Sequence, residues 1–256
     1  MIDIFGYVDV INASNEDVRN ISECIIQRDT VNTGWIEIWL EQCRLKHKGT
    51  CAKKETICLP FLRLIDCETR VIKGPSSDET PKYLALSYVW GAMTTSQSSG
   101  GSRSIINGAK LGKLPPVGSL PKVIEDAISI TKTLGHRYLW IDQYCIDQED
   151  GDDIKVNLSS MHLIYGTASI TLIAAAGKDQ TFGLPGVGQR LRSFQPVTRI
   201  GKLGFISLGP APKRWIDTSK YMTRGWTYQE GLFSRRKIFF TEYQVYVECR
   251  SAHCSE

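Results

Sequence analysis

An acid and an amide follow directly on an apolar run in Tyr138-Leu-Trp-Ile-Asp142-Gln-Tyr-Cys-Ile-Asp147-Gln-Glu-Asp150. Tyr138 to Ile141 reads as a buried strand, so Asp142 and Gln143 would emerge at its carboxyl end. That edge is where open α/β sheets bind ligands; a strand closing in a polar turn, with Asp142 capping through its own side chain, is the plainer alternative. A second such edge follows Tyr83-Leu-Ala-Leu-Ser-Tyr-Val89, which closes on Trp90-Gly91. Ser87, Trp90 and Gly91 stand where a first strand-to-helix turn would approach a ligand, and Gly91 lets backbone come close. Ser87 is no nucleophile elbow, since Leu86 and Tyr88 flank it where glycines would be needed. There is neither a Gly-x-Gly-x-x-Gly run nor a Walker pattern. Cys145 sits between Tyr144 and Ile146, which reads as packing.

Thiols and imidazoles form the other chemical set. Cys43, His47 and Cys51 are spaced by four, Cys58 follows seven later, and Cys249, His253 and Cys254 offer further ligands. A Cys and a His one helical turn apart can share zinc, but zinc modules usually carry a tight Cys-x-x-Cys pair, which is absent. The reading taken is buried reduced thiols and no metal, with structural zinc as the alternative.

The elements that must position these groups are legible in part. Leu120, Val123, Ile124, Ala127, Ile128, Thr131 and Leu134 form one apolar stripe of a helix. Pro121 suits its first turn and Gly135 its end. With the strands before and after it, this is a βαβ unit, which favours parallel pairing and a right-handed crossover. A further helix is expected from Asp152 and Asp153 as caps through Tyr165, with Ile154, Leu158, Met161 and Tyr165 on one side. A third buried strand follows, Ser169 to Ala176. Pro196–Ile200 with Phe205–Leu208, and Lys237–Thr241 with Gln244–Cys249, read as hairpins. Between them Arg224-Gly-Trp-Thr-Tyr-Gln-Glu230 opens a short helix. Leu62 to Ile72 suggests strands around a turn. Upstream, Val18, Ile21 and Ile25, then Trp35, Ile38, Trp39 and Gln42/Cys43, repeat at helical spacing. Thr94 to Ser104 reads as a flexible Ser/Gly/Thr loop.

The chain's 256 residues, 42% hydrophobic, suffice for one large domain or a domain with an appendage. A net charge of +4 is too small and scattered for nucleic acid; the densest basic patch, Arg44 to Lys48 with Lys53 and Lys54, reads as a solvated face. No apolar stretch approaches the roughly 20 residues that span a bilayer, and Met1-Ile-Asp-Ile-Phe5 shows no signal peptide. Eight cysteines without an export signal read as cytosolic thiols. The ending Cys249 to Glu256 has no tail, which suggests a longer natural chain.

Three blocks stand in order: Leu84-Ala-Leu-Ser-Tyr-Val-Trp-Gly91, Leu139-Trp-Ile-Asp-Gln-Tyr-Cys-Ile-Asp-Gln148 and Arg224-Gly-Trp-Thr-Tyr-Gln-Glu230. Together they closely resemble the fungal heterokaryon incompatibility (HET) domain family. Leu120-Pro121, Met161 through Ile164-Tyr165 to Ala168, Ala175-Ala-Gly177 and Gly183-Leu-Pro-Gly186 fit as well. The resemblance implies a role in fungal self/non-self recognition and programmed cell death. It further implies kinship with TIR domains, some of which self-associate and some of which hydrolyse NAD⁺. The expected fold is therefore α/β: a TIR/flavodoxin-like parallel β-sheet core flanked by helices, with an added helical N-terminal segment and β-hairpins. Residues 1–80 would be an extension packed on a domain at 81–256, whose motifs span 83–230.

Within that resemblance, Ser87-Tyr88 matches a first TIR box and Tyr138–Asp142 a second strand. Trp226 and Glu230 resemble the TIR tryptophan and catalytic glutamate. Cleavage between nicotinamide and ribose passes through an oxocarbenium-like centre that a carboxylate can stabilise. Its leaving group is already cationic and needs no proton, so one acid suffices, and Glu230 is the first choice. Trp226, one turn earlier, would stack on a ring or wall the pocket. Arg224 would contact a phosphate. Asp142 would bind ribose hydroxyls or orient Arg224, with Ser87, Tyr88, Trp90, Gly91 and Gln143 completing the substrate site. The plain alternative makes Glu230 a surface acid paired with Arg235 or Arg236, and Trp226 core. NAD⁺ is the candidate substrate; no cofactor, metal, nucleic acid or membrane span is expected. The partners implied are other copies of the chain and an unidentified incompatibility protein. The alternative function is a death-signalling module that acts by self-association without chemistry.

Overall fold

A strand buried on both faces needs cover on both sides, and Tyr83–Ser87 is buried at all five positions. The computed structural model, which describes residues 8–12, 25–52, 58–74, 80–91, 112–201, 203–207 and 211–256, builds the fold around it. The N-terminal part holds strand β1 (Val8–Asn12) and helices α1 (Thr33–Lys46) and α2 (Lys48–Cys51). Strands β2 (Leu64–Asp66) and β3 (Val71–Lys73) follow, then β4 (Tyr83–Ser87). Next come α3 (Lys122–Thr133), β5 (Tyr138–Trp140), α4 (Asp142–Cys145), α5 (Gly151–Ser159), α6 (Met161–Thr167) and β6 (Ile170–Ala174). A hairpin of β7 (Val197–Ile200) and β8 (Leu203–Ser207) leads to α7 (Pro212–Asp217), a 3₁₀ turn (Tyr221–Thr223) and α8 (Gly225–Phe233). The described chain ends with β9 (Arg236–Phe240), β10 (Val245–Cys249) and β11 (His253–Ser255).

The main sheet has eight strands in the order β11-β10-β9-β6-β4-β5-β2-β3. Its centre is parallel: β4 pairs with β5 and with β6, and β6 with β9. Both flanks are antiparallel hairpins, β2–β3 beside β5 and β10–β11 beside β9. The fold is thus mixed α/β, with a parallel centre and antiparallel edges. From β4 the chain runs to β5 on one side, then crosses back to β6 on the other. Right-handed crossovers in opposite directions lay their helices on opposite faces. The carboxyl ends of β4 and β6 are therefore the topological switch point, where open α/β sheets bind ligands.

The core follows the expected stripe of α3, whose Leu120, Val123, Ile124, Ala127, Ile128, Thr131 and Leu134 are all buried. Gly135 ends that helix at φ 70°. Trp140 of β5 packs edge-on against Tyr165 of α6 at 5.5 Å between ring centroids. At the sheet's edge the fully buried Asp66 holds Arg137 at 2.8 Å and Lys73 at 2.7 Å. These bonds hold its carboxyl well below the usual range against the opposing cost of burial.

Five expectations need correction. The helix expected through Tyr165 breaks at Ser160 into α5 and α6. Asp150 is the cap, accepting from the backbone N–H groups of Asp152 and Asp153. Leu158 is exposed, because the break turns α5 so that Asn157 faces inward. In α1 the buried positions are Ile36 and Cys43, while Ile38 is 66% exposed. The N-terminal part is not simply helical: Val8–Asn12 is a strand, paired antiparallel with β8 in a separate sheet of order β1-β8-β7. The expected pattern at Val18 and Ile21 and the loop Thr94–Ser104 lie outside the described residues.

Candidate active site

Ser87 closes β4, and its hydroxyl donates to Oε2 of Glu230, a residue 143 positions away. The same hydroxyl lies 2.8 Å from the phenol oxygen of Tyr221. All three side chains are buried. Glu230 gets there because α8 follows the 3₁₀ turn with little freedom. Thr227 Oγ1 donates to the carbonyls of Tyr221 at 2.6 Å and Arg224 at 2.7 Å, and Tyr221 Oη donates to Thr227 O at 3.2 Å. Helix α8 rests on α6, from which Tyr165 reaches both the carbonyl of Leu86, at 3.2 Å, and the Glu230 carboxyl.

A second set of bonds ties the ends of β4 and β5. Trp90 Nε1 donates to both carboxylate oxygens of Asp142, at 3.0 and 3.2 Å. Tyr88 donates its phenol proton to Gln143 Oε1 at 2.7 Å. Asp142, the first residue of α4, also accepts the N–H of Gln143 at 2.7 Å while it anchors the indole. Arg224 reaches across from the mouth of α8 and donates to the Tyr88 carbonyl at 3.3 Å. Gly91 stands at φ 90°, and a Cβ there would meet Cβ of Asp179 at 2.7 Å. That turn therefore demands glycine twice over.

Charge is tightly managed. Burial pushes the Glu230 carboxyl up to about 7, and the nearby Asp142 charge adds to the rise; the hydrogen bonds from Ser87 and Tyr165 and the cation of Arg224 pull the other way. Burial likewise lifts Asp142 to about 6, against the Gln143 N–H, the Trp90 indole and Arg224. The Tyr88 phenol is pushed well above its ordinary value by burial and then by Asp142. Both carboxyls are raised chiefly by burial, and the rise of Glu230 also carries the Asp142 charge. Near neutral pH the pair can hold a proton, and Arg224 is the cation beside both.

The structure thus links Ser87, Tyr88, Trp90, Asp142, Gln143, Arg224 and Glu230 through direct bonds or shared charge. The plain alternative for Glu230 is corrected. It is buried, while Arg235 donates to the carbonyls of Thr167 and Ala168 and Arg236 to Sγ of Cys43. Trp226 is not core, since it is 51% exposed at the start of α8. Tyr221, Thr227 and Tyr165 belong to the site but carry no local signal for it. Tyr221 and Thr227 also border a cavity of about 230 Å³, which Tyr228, Leu232, Lys213, Asp217 and Lys237 line too.

The thiol set is brought together elsewhere. Ligand atoms of Cys43, His47, Cys51 and Cys249 lie within 4.8 Å of one another. Cys58, His253 and Cys254 are exposed and outside this cluster.

Comparison with known proteins adds the following. The family described as "Heterokaryon incompatibility protein (HET)" matches at residues 83–230, more than half of the chain. The chain is also similar to "Heterokaryon incompatibility protein 6, OR allele" of Neurospora crassa, 31% identical over 124 residues. That match covers 48% of this chain and only 16% of the relative's length. No solved structure matches the chain.

Proposed function

This chain belongs to the heterokaryon incompatibility (HET) family, and we propose that it acts in fungal heterokaryon incompatibility and cell death by cleaving NAD⁺ between nicotinamide and ribose. The observation that carries the reading is the Glu230 carboxyl, buried at the carboxyl end of β4 and bonded by the Ser87 hydroxyl. In this reading a ribose hydroxyl takes the position of the Ser87 hydroxyl. The charged form of Glu230 then faces the ribosyl carbon as positive charge develops there. The bond to nicotinamide breaks, nicotinamide leaves neutral, and water takes its place on the ribose with loss of a proton. Arg224 contacts the diphosphate from the mouth of α8, and Asp142 holds the Trp90 wall. The parallel centre supports the TIR-like, flavodoxin-like part of the reading. Along the sheet its strands β5, β4, β6 and β9 come second, first, third and fourth in the chain, as in flavodoxin-type sheets.

The test is NAD⁺ loss and nicotinamide release by concentrated, assembled protein, wild type against Glu230→Gln. Turnover in the wild type that falls by two orders of magnitude or more in the variant is expected. Equal, negligible turnover in both would sink the enzyme reading.

A second reading, a module that transmits death by self-association, is favoured by one observation. Tyr228 and Leu232, four apart on α8, are 60% and 59% exposed. An unpartnered apolar pair on one helix face suits contact with another copy. It predicts that Tyr228→Lys with Leu232→Lys abolishes killing and lowers the mass seen by light scattering, while Glu230→Gln leaves both intact.

A further inference from the structure

We propose that Cys43, His47, Cys51 and Cys249 form a closed tetrahedral site for a structural zinc ion, which clamps the α1–α2 corner to the β9–β10 hairpin. Four elements of local geometry carry the inference. Cys43 lies in the last turn of α1, His47 is the residue between α1 and α2, and Cys51 ends α2. Spacings of four thus turn three ligand groups toward one point. Cys249, at the end of β10, comes in from 202 residues beyond His47, its sulfur 3.4 Å from Nδ1 of the imidazole.

The size is right for zinc. Bonds of about 2.3 Å to sulfur at tetrahedral angles give ligand–ligand edges of roughly 3.8 Å. The four atoms already lie within 4.8 Å of one another, so closure asks for small side-chain adjustments and no backbone rearrangement. Three sulfurs and an imidazole nitrogen with no carboxylate suit a soft-to-borderline cation rather than calcium or magnesium. With four protein ligands no coordination position is left for substrate, which assigns a structural role.

The surroundings of the sulfurs are polar although the cluster is buried. The three cysteines are 0 to 6% exposed, yet each sulfur has a polar neighbour within hydrogen-bonding reach. Arg236 Nε–H lies 3.2 Å from Cys43, the Ser251 N–H 3.4 Å from Cys249, and the Thr50 hydroxyl 3.6 Å from Cys51. Such donors are what an outer shell supplies to charged metal ligands. Three thiolates and neutral imidazole around Zn²⁺ leave one negative charge, and the Arg236 guanidinium stands beside it. Simple core packing of cysteines requires neither the converging imidazole nor a donor for each sulfur. Binding would release the remaining thiol protons to solvent and add metal affinity to folding free energy.

The experiment is metal analysis of the full chain, expressed with zinc and dialysed under reducing conditions, followed by exchange with cobalt(II). One zinc per chain is expected, together with the strong visible bands of tetrahedral thiolate-bound cobalt. Cys249→Ser and His47→Ala should each reduce zinc retention at least tenfold, while Cys58→Ser and Cys254→Ser keep it whole. A zinc-free wild type that gives no tetrahedral cobalt spectrum overturns the proposal. So does zinc that survives Cys249→Ser, or a disulfide mapped among Cys43, Cys51 and Cys249. The wild-type stoichiometry and cobalt spectrum decide the matter even where a ligand variant fails to fold. Neither readout depends on any enzymatic activity.

Discussion

Replacing Glu230 by Gln should stabilise this protein, and should do so only at neutral and alkaline pH. The carboxyl is buried and raised from 4.5 to about 7, chiefly by desolvation and next by the Asp142 charge. A group whose folded value is raised binds its proton more tightly in the folded state. Stability therefore falls as pH climbs from the unfolded value, about 4.5, to the folded one, about 7, and stays reduced above it. At roughly 1.4 kcal/mol per tenfold change in proton affinity, the ceiling on that loss is about 3 kcal/mol. Coupling to Asp142 divides the effect between two groups, so about 1–3 kcal/mol is the working range. Glutamine keeps an oxygen to accept the Ser87 hydroxyl and removes the charge. Urea unfolding at pH 4 and pH 8 is the assay. The variant should match the wild type within error at pH 4 and show a higher midpoint at pH 8, with an unchanged slope. On heating, the pH 8 gain corresponds to roughly 2–12 °C, given about 2–4 °C per kcal/mol for a domain of this size. Parallel pH curves, or a variant less stable at pH 8, would refute the reasoning. A variant that gains stability and loses NAD⁺ cleavage would locate the value of this acid in chemistry and not in folding.

Three further outcomes follow from the same geometry. NAD⁺ cleavage should rise as pH passes through about 7, where Glu230 ionises, and Asp142→Asn should move that limb to lower pH by removing a like charge; a limb that stays put in the variant would show that the two carboxyls do not communicate. Asp66→Asn should cost about 1–2 kcal/mol at neutral pH, because Arg137 and Lys73 both close on a buried carboxylate but are themselves nearly half exposed and screened by solvent; since the Asp66 value is depressed, this contribution is present above about pH 4 and is lost as pH falls further, so wild type and variant should converge in acid unfolding curves. Gly183→Ala should destabilise by at least about 1 kcal/mol, because the residue stands at φ 85° and its Cβ would lie 2.6 Å from the Asp126 carboxylate; an unchanged denaturation midpoint would contradict the turn.

The parts of the fold legible in the sequence are those whose partners are interchangeable. Tyr83–Ser87 reads as a buried strand because every residue is apolar or small, and any apolar cover satisfies it. The stripe of α3 is legible for the same reason. Helix α8 is different. Arg224, Trp226, Thr227, Tyr228, Gln229 and Glu230 mix polar and aromatic groups at every angle, so periodicity cannot say which side faces in. In the structure Thr227 and Glu230, three apart, are buried, and the large rings at 226 and 228 stand out. A hydrophobic reading would choose the reverse. What turns the helix over is Thr227, whose hydroxyl fastens α8 to the preceding turn, with Ser87 and Tyr165 satisfying the carboxyl that this rotation buries.

The same limit governs the thiol cluster, with a different outcome. Cys43, His47 and Cys51 announce themselves by a local period, and the missing Cys-x-x-Cys pair argues against metal only if all ligands must be near in sequence. The fourth ligand instead arrives on β10, whose position is set by pairing with β9. Strand β9 begins three residues after α8 ends, and Arg236 at its start donates to Cys43. The cluster and the buried Glu230 carboxyl are therefore joined by one short piece of backbone. Stripping metal from the first should loosen the element that seats the second: chelation is expected to lower the denaturation midpoint and, with it, the protection of the α8 amides against hydrogen exchange. Loss of zinc with α8 protection unchanged would separate the two sites and confine the ion to anchoring the N-terminal helices.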